Sequence, residues 1–562
     1  MSGERVMRGA GLGLVLCLLT MPSSATDLWL LTAERIHTMD PDRPHATALV
    51  WGADGTLVDV GEADVLRARH PEALPVDAAD AVVVPGLIDA HAHLMGLGLA
   101  LLRSDLAGVR SKAGVVARLQ RDAQDLPDDA WLLGTGWDQN LWPEADFPTA
   151  ADLDAAFPER PVWLRRVDGH AGWANSAAMR AAEAAGAVLT GDTQPDGGRI
   201  VREGRVPTGV FVDEAMALIE QAVPPTSAED HDRALTLALE AAVRNGLTGV
   251  HDMGVSREGL ALYRAFADAG RLPLRVSAYA DGDAEALDDL CTHGLYAHPG
   301  GRLGMRGVKL YIDGALGSRG AALLEDYSDD HGNTGLLVTD PVAFRAAVDK
   351  AAGCGVQVAS HAIGDRGNRL VLDTYTEALG ERAGTDHRWR IEHAQIMAVE
   401  DIPRVPALQV IASMQPTHAT SDMPWAGDRV GPARLAGAYA WRSFLDAGAR
   451  LALGSDFPVE SVDPRLGLYA AATRQDRERR PPGGWLAEQR LSAAEALHGF
   501  TAAAAHAGFG DTTVGRLRPG ARADFLVLVD DPLAMPVERL ADLRLRSTWV
   551  DGRPVYEADG TP

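Results

Sequence analysis

One run near the N-terminus, Val82–His93, constrains the fold and the chemistry of this chain more than any other segment. Its β-branched start is typical of a buried strand, and Pro85 and Gly86 interrupt it before it ends on two histidines. Because alternate residues of a strand point to the same face, His91 and His93 project together. Two imidazoles on one face of a strand end can bind a divalent metal ion. The segment therefore predicts a metal site at the end of a buried strand.

Strand-like runs alternate with amphipathic segments through the middle of the chain, which predicts a parallel sheet or barrel. The clearest helix spans about Glu229 to Arg244, and Asn245-Gly246 forms a typical helix end. Further strand-like runs follow the first one at Gly249–Asp252, Arg275–Ala280, Val308–Ile312, Val356–His361, Arg390–His393, Val410–Gln415 and Leu451–Asp456. Eight strands with intervening helices predict an α/β fold of the (β/α)8 TIM barrel type.

Side chains that can bind a metal stand at the ends of four of these strands: Lys309, His361, His393 and Asp456. The carboxyl ends of the strands of such a barrel gather at one face, where active sites lie. We therefore expect these residues to meet His91 and His93 there. Histidine and carboxylate ligands suit zinc or a similar divalent ion. Lys309 is conspicuous because the chain's other lysines are Lys112 and Lys350, and a lysine is costly to bury within a strand.

The rest of the chain is expected to form a second domain and an insertion. Short alternating strands at both ends predict one composite β-sandwich built from residues 26–81 and 512–562, around a barrel over residues 82–511. The gap between the first and second barrel strands is too long for one crossover. Residues 94–225 are therefore expected to form an inserted subdomain over the barrel mouth.

The first 25 residues have the pattern of a signal peptide. Arg5 and Arg8 precede the apolar segment Ala10–Leu19, which is too short to span a membrane, and small residues lead to a cleavage site after Ala25. We expect export to the periplasm or the medium, with no stable membrane insertion after cleavage. Lipid anchoring through Cys17 is an alternative that the bulky residue before it disfavours.

Charge and cysteine content add two expectations. A formal net charge of -25 gives the chain no general attraction to nucleic acid. Cys291 and Cys354 could pair in an oxidising compartment, although buried free thiols are the favoured interpretation.

Several motifs together resemble a known family. The run Pro85–His93 resembles the first-strand signature of the amidohydrolase superfamily. Others resemble its branch called amidohydrolase family 3, which includes proteins similar to N-substituted formamide deformylase. These motifs are residues 136–139, 168–170, 309–319, 360–365, 391–393 and 454–456. The similarity covers nearly the whole chain after the signal peptide.

The resemblance implies a site with two divalent metal ions, with zinc expected. His91, His93 and Asp456 would bind one ion, and His361 and His393 the other. Lys309, carboxylated by CO2, would bridge them, because a carbamate is an anionic oxygen ligand whereas an ammonium repels cations. Asp456 would also be the catalytic residue that accepts a proton from the metal-activated water.

Four residues are candidates for contacts with a small-molecule substrate, each with a structural alternative: Asp168, His170, Arg319 and Trp137. Arg319 could bind a substrate carboxylate or merely a carboxylate of the protein. Trp137 could line a pocket or belong to the core. His251 and His418, near predicted strand ends, are alternatives for an outer shell around the metals.

The resemblance favours an enzyme that hydrolyses a non-peptide C–N bond, either an amide or an N-acyl or N-formyl group, and the signal-peptide pattern adds the expectation of export. Esters, lactones and cyclic amides are alternative substrates, because one fold serves many reactions. A non-catalytic exported protein that binds a ligand or regulates is the alternative of another class. A single metal beside an unmodified Lys309, and a homodimer, also stay open.

Overall fold

The computed structural model describes residues 27–127, 130–144, 146–166, 171–192, 194–195, 198–282 and 284–558. The predicted signal peptide with Cys17 lies outside these residues, as do Asp168 and His170. Within the described part, no helix combines the length and the apolar character needed to cross a membrane.

The strands, in chain order, have the following bounds: β1 Leu28–His37, β2 His45–Gly52, β3 Leu57–Gly61, β4 Leu74–Pro85, β5 Leu87–Ala92, β6 Ser104–Asp105, β7 Leu132–Trp137, β8 Val162–Arg166, β9 Ala171–Ala174, β10 Gly198–Glu203, β11 Val206–Asp213, β12 Leu247–Val255, β13 Arg275–Asp281, β14 Tyr296–Ala297, β15 Leu303–Tyr311, β16 Gln357–Ala362, β17 Arg390–His393, β18 Ile411–Met414, β19 Arg450–Leu453, β20 Phe525–Leu528, β21 Leu545–Val550 and β22 Arg553–Glu557.

The α-helices have these bounds: α1 Ala63–Arg69, α2 Leu94–Leu101, α3 Lys112–Asp122, α4 Ala150–Asp154, α5 Ser176–Ala184, α6 Ala217–Glu220, α7 Ala228–Arg244, α8 Arg257–Asp268, α9 Ala284–His293, α10 Pro341–Cys354, α11 Asp365–Leu379, α12 Arg404–Ala407, α13 Pro416–Asp422, α14 Ala426–Arg434, α15 Trp441–Asp446, α16 Pro464–Thr473, α17 Ala493–His498 and α18 Ala504–Ala507.

Eight parallel strands form the central barrel in the order β5, β12, β13, β15, β16, β17, β18 and β19. Two backbone hydrogen bonds join its first and last strands at the mouth: Asp456 N donates to His91 O at 2.7 Å, and His93 N donates to Phe457 O at 2.8 Å. Strands and surrounding helices share one large apolar core. The structure confirms the predicted barrel and seven of its predicted strands, and it divides the predicted first strand in two.

The predicted first strand is two strands. β4 ends at Pro85 and pairs with β1 and β20 of the terminal domain, whereas β5 starts at Leu87 and pairs with β12 of the barrel. Gly86 connects them, and a β-carbon there would lie 2.1 Å from Thr248 Oγ1, so only glycine fits this close approach. The boundary between the domains therefore lies at Gly86, beyond the predicted one between residues 81 and 82.

The terminal domain is a single seven-stranded sheet in the order β22, β21, β20, β4, β1, β2 and β3. Two strands lie between β2 and β20, which would separate their side chains by roughly 14 Å in a flat sheet. The rings of Trp51 on β2 and Phe525 on β20 are nevertheless only 5.7 Å apart. The sheet therefore curls over its own core, and the layers expected of a sandwich come from one continuous sheet.

The insertion contains a six-stranded sheet in the order β10, β11, β9, β8, β7 and β6. Helix α2, which opens the predicted insertion, instead packs against α7, and Leu94 and Leu97 belong to the barrel core. The inserted fold therefore begins after Leu101 rather than at residue 94.

Cys291 of α9 and Cys354 of α10 form a disulfide, with their Cα atoms 5.2 Å apart. The expectation of free thiols is therefore wrong. These cysteines are 63 residues apart in sequence, and the side-by-side packing of the two helices brings them together.

Candidate metal centre

The predicted metal-binding residues all lie at the carboxyl ends of barrel strands. His91 and His93 end the β5 segment, His361 lies on β16, His393 ends β17, Lys309 lies near the end of β15 and Asp456 follows β19. His91 Nε2 lies 3.2 Å from Lys309 Nζ and 3.5 Å from Asp456 Oδ1, and His93 Nε2 lies 3.0 Å from the same oxygen. Residues far apart in sequence are thus within contact distance.

The imidazole rings complete this cluster. The His393 ring lies 4.8 Å from that of His91 and 4.6 Å from that of His361, measured between ring centres. His91, His393 and Asp456 each offer one ligand atom, and these three atoms lie within 4.8 Å of one another. All three residues are buried. The geometry therefore brings the predicted set together in one cluster.

Two of these residues have an unusual backbone conformation. His393 has φ +71° and Asp456 has φ +63°, which places both in the left-handed region that residues other than glycine rarely adopt. For Asp456, the hydrogen bond from its amide to His91 O holds this conformation. Such conformations occur most often at functional sites, where the surrounding structure holds them in place.

Three of the imidazoles are oriented by hydrogen bonds at Nδ1. The partners are Glu392 Oε2 at 2.6 Å for His91, Met253 O at 2.9 Å for His93, and Gln415 Oε1 at 2.8 Å for His393. Each ring thereby keeps Nε2 available as a ligand, which is how metal-binding histidines are commonly held.

Burial sets the protonation of the cluster. It lowers the pKa of His91 and His393 well below the ordinary value, and burial together with the charge of Lys309 lowers the pKa of His361 to about 3. Burial also lowers the pKa of Lys309 to about 8, against the opposing effect of Glu392. Neutral imidazoles are metal ligands, and a neutral amine is the form that can react with CO2.

Asp456 stays ionised in this setting. Burial raises its pKa, but the facing imidazole of His91 and the hydrogen bond from His93 outweigh burial and hold the pKa well below the ordinary value. An ionised carboxylate beside several imidazole rings is a donor set that suits zinc or a similar divalent cation.

The cluster also contains buried nitrogens without a partner. His361 Nε2 and His418 Nε2 have no hydrogen-bond partner among the described residues, although both are shielded from solvent. Buried polar atoms are normally hydrogen-bonded, and unsatisfied ones call for an explanation such as an ion. The residues present therefore fit a divalent cation.

Beneath the cluster lies a buried ion pair that the sequence predictions omit. Arg390 and Glu392 are both fully buried, with Arg390 Nε 2.7 Å from Glu392 Oε1. The signal is an Arg-x-Glu pattern within a buried strand, where alternation puts both charges on one face and pairing relieves their burial.

The two outer-shell alternatives, His251 and His418, differ in what they contact. His251 is buried under it, and its Nδ1 accepts a hydrogen bond of 2.8 Å from Arg390 Nη1. His418 stacks on His393 with ring centres 5.9 Å apart, and its Nε2 is 3.6 Å from Asp456 Oδ2. His418 therefore faces the predicted metal-binding residues directly, whereas His251 contacts Arg390, which in turn pairs with Glu392.

Two of the four predicted substrate contacts, Trp137 and Arg319, are bonded to other parts of the protein. Trp137 is fully buried in the core of the insertion, and its indole nitrogen donates to Leu164 O at 2.9 Å, so the prediction that it contacts substrate is wrong. The Arg319 guanidinium donates twice to Asp329, at 3.0 and 3.1 Å, which matches the alternative of a protein carboxylate. Asp168 and His170 lie outside the described residues.

Comparisons with known proteins show which family this chain is similar to. The model of a family described as the amidohydrolase family matches residues 75–556. The Bacillus subtilis (strain 168) protein YtcJ, which is named as an amidohydrolase, is 34% identical over 536 residues, covering 93% of this chain and 98% of YtcJ. The N-substituted formamide deformylase of Arthrobacter pascens is 29% identical over 558 residues, covering 95% and 99% of the two chains.

A solved structure is similar along nearly its whole length. It is an uncharacterized metal-dependent hydrolase from Pyrococcus horikoshii OT3, 28% identical to this chain, with a TM-score of 0.75. The match covers 91% of this chain and 99% of that one.

Proposed function

Because the chain belongs to the amidohydrolase family, a family of metal-dependent hydrolases of small molecules, we propose that it hydrolyses the C–N bond of a non-peptide amide. The observation that carries this proposal is the convergence of His91, His393 and Asp456, with ligand atoms within 4.8 Å of one another at the barrel mouth. An N-acyl or N-formyl amine is the substrate class that the similarity to a formamide deformylase favours.

The proposed ligand set is the one that the family resemblance implies. His91, His93 and Asp456 would hold one divalent ion, and His361 and His393 would hold a second. Lys309, carboxylated by CO2, would supply an anionic oxygen ligand to this centre. Its amine lies 3.2 Å from His91 Nε2 and is fully buried, which favours the neutral form that reacts with CO2.

A divalent cation bound here supplies Lewis acidity, which polarises the substrate carbonyl and makes a water molecule more acidic. Asp456 holds the proton that this water gives up and returns it to the nitrogen of the leaving group. The oxygen of water becomes bonded to the acyl carbon, the C–N bond breaks, and the products are a carboxylic acid and an amine. His418 Nε2 lies beside that carboxylate, 3.6 Å from Asp456 Oδ2.

Export is the second part of the proposal. The N-terminal residues have the pattern of a signal peptide, and the disulfide between Cys291 and Cys354 is of a kind that persists in oxidising compartments. Both observations support a location in the periplasm or the medium.

A hydrolysis screen tests the proposed reaction. Zinc-loaded protein is assayed with formanilide and acetanilide as amides, and with phenyl acetate and γ-butyrolactone as an ester and a lactone. We expect turnover of at least one amide, and its loss in Asp456→Asn. Turnover of the ester or lactone alone would move the proposal to that bond class. Stoichiometric zinc without turnover of any compound in a wider amide panel would favour a ligand-binding protein.

A further inference from the structure

Tyr311 is the last residue of β15, two positions after Lys309. Because strand residues alternate between faces, its side chain projects on the same side as Lys309, at the mouth of the barrel. Its ring centre lies 5.0 Å from Lys309 Nζ and 5.8 Å from the centre of the His361 ring. The ring thus packs directly against two residues of the metal centre.

The hydroxyl of Tyr311 points towards the ends of β12 and β13. A β-carbon on Gly254 would lie 2.5 Å from Tyr311 Oη and 4.0 Å from Asp281 Oδ1. Gly254 has φ +69°, so a residue without a side chain occupies this position and leaves room for the hydroxyl. The preceding residue, Met253, orients His93 through its carbonyl oxygen. The hydroxyl therefore lies on the same side of the barrel mouth as the Met253 carbonyl that orients His93.

The hydroxyl has no hydrogen-bond partner within the described part of the chain, and the Tyr311 side chain is partly exposed at the mouth. The hydroxyls of other tyrosines near the barrel donate hydrogen bonds to protein side chains. Tyr263 donates to Asp252 at 2.6 Å, and Tyr279 donates to Gln357 at 2.8 Å. A phenol is protonated at neutral pH and can donate one hydrogen bond. Tyr311 thus presents an unused donor beside the metal centre.

We propose that Tyr311 contacts the substrate, and that its hydroxyl donates a hydrogen bond to the acyl oxygen as negative charge develops there. This inference rests on the proposed amide hydrolysis. The acyl oxygen gains charge when water adds to the carbonyl carbon, and a fixed donor stabilises this state more than the ground state. The amine leaves with its proton as described above, and Tyr311 itself neither gains nor loses a proton.

The test compares Tyr311→Phe with wild type, and uses Tyr556→Phe on β22 as a matched control that loses the same hydroxyl in the terminal domain. Zinc-loaded proteins are assayed with the best anilide of the screen. We expect kcat to fall about 100-fold in Tyr311→Phe, with KM within about threefold of wild type. Zinc content should match wild type, and Tyr556→Phe should behave as wild type throughout.

A second measurement does not depend on turnover. Methylphosphonate is a tetrahedral anion that resembles an acetyl group under attack, and its binding to zinc-loaded protein is measured by calorimetry. We expect Tyr311→Phe to bind it about 10- to 100-fold more weakly. If wild type hydrolyses no amide, the proposed function fails while this measurement still decides the role of Tyr311. A variant with unchanged kcat and unchanged methylphosphonate affinity, or one that loses zinc, would overturn the inference.

Discussion

Because Glu392 is paired with buried Arg390 and bonded to His91, Glu392→Gln should lower both the unfolding free energy and the affinity for zinc. Glu392 Oε2 lies 2.6 Å from His91 Nδ1 and 3.1 Å from Arg390 Nη2, and Oε1 lies 2.7 Å from Arg390 Nε. Glutamine has nearly the same shape but no charge. The substitution therefore removes the only carboxylate that contacts Arg390 among the described residues and weakens the hydrogen bond that orients His91.

The magnitude follows from burial. The remaining partners of the guanidinium are neutral, among them Tyr279 Oη at 3.0 Å and Ser413 Oγ at 2.7 Å. Removing one partner of a fully buried ion pair costs about 3–5 kcal/mol of unfolding free energy. Losing the second partner of a metal-binding histidine lowers metal affinity about 10- to 100-fold, or about 1.4–2.7 kcal/mol.

Two assays separate these effects. Urea unfolding of the metal-free proteins gives the stability change, and competition with a chromophoric chelator gives zinc affinity. Glu285→Gln is the control, because Glu285 forms an exposed ion pair of 2.7 Å with Arg257, worth at most about 1 kcal/mol. If Glu392→Gln matched this control in stability and bound zinc as wild type does, Glu392 would neither neutralise Arg390 nor orient His91.

Three further changes have defined outcomes. Reducing the bond between Cys291 and Cys354, which encloses 63 residues, should lower the unfolding free energy by about 4 kcal/mol, and thiol titration of the unreduced denatured protein should find both cysteines blocked. Gly86→Ala should lower the melting temperature, because its β-carbon would lie 2.1 Å from a hydroxyl of β12; an unchanged melting temperature contradicts the close approach. The hydrogen bond from Arg442 lowers the pKa of Glu495 to about 2. The partly exposed pair should therefore stabilise the wild type over Glu495→Gln by less than about 1 kcal/mol above about pH 5, and the difference should vanish as the pH falls to about 2 in urea titrations.

The barrel and its cluster were predictable because both depend on local patterns. Hydrophobic runs mark the strands, and the carboxyl ends of parallel strands necessarily meet, so Lys309 and His393 could be assigned to one face before any contact was known. The division of the first predicted strand at Gly86 was harder to predict from sequence. A continuous β-branched run looks like one strand, and only the pairing of each half with a different sheet separates them.

Other features depend on tertiary contacts that periodicity does not contain. Trp137 shares a motif with the family, yet its burial is decided by the packing of the insertion. The disulfide follows from the approach of two helices, and the role of Glu392 follows from the position of His91, 301 residues away in sequence. Sequence alone signals a charge that needs a partner, whereas the identity of that partner comes from the fold.

Anomalous diffraction at the zinc absorption edge from crystals of the zinc-loaded protein tests the metal centre most directly. We expect two peaks at the barrel mouth, one within bonding distance of His91, His93 and Asp456, and one beside His361 and His393. Density for a carboxylated Lys309 should join them. A map with no peak among these side chains, or with an unmodified Lys309 beside a single ion, would contradict the proposed two-metal centre.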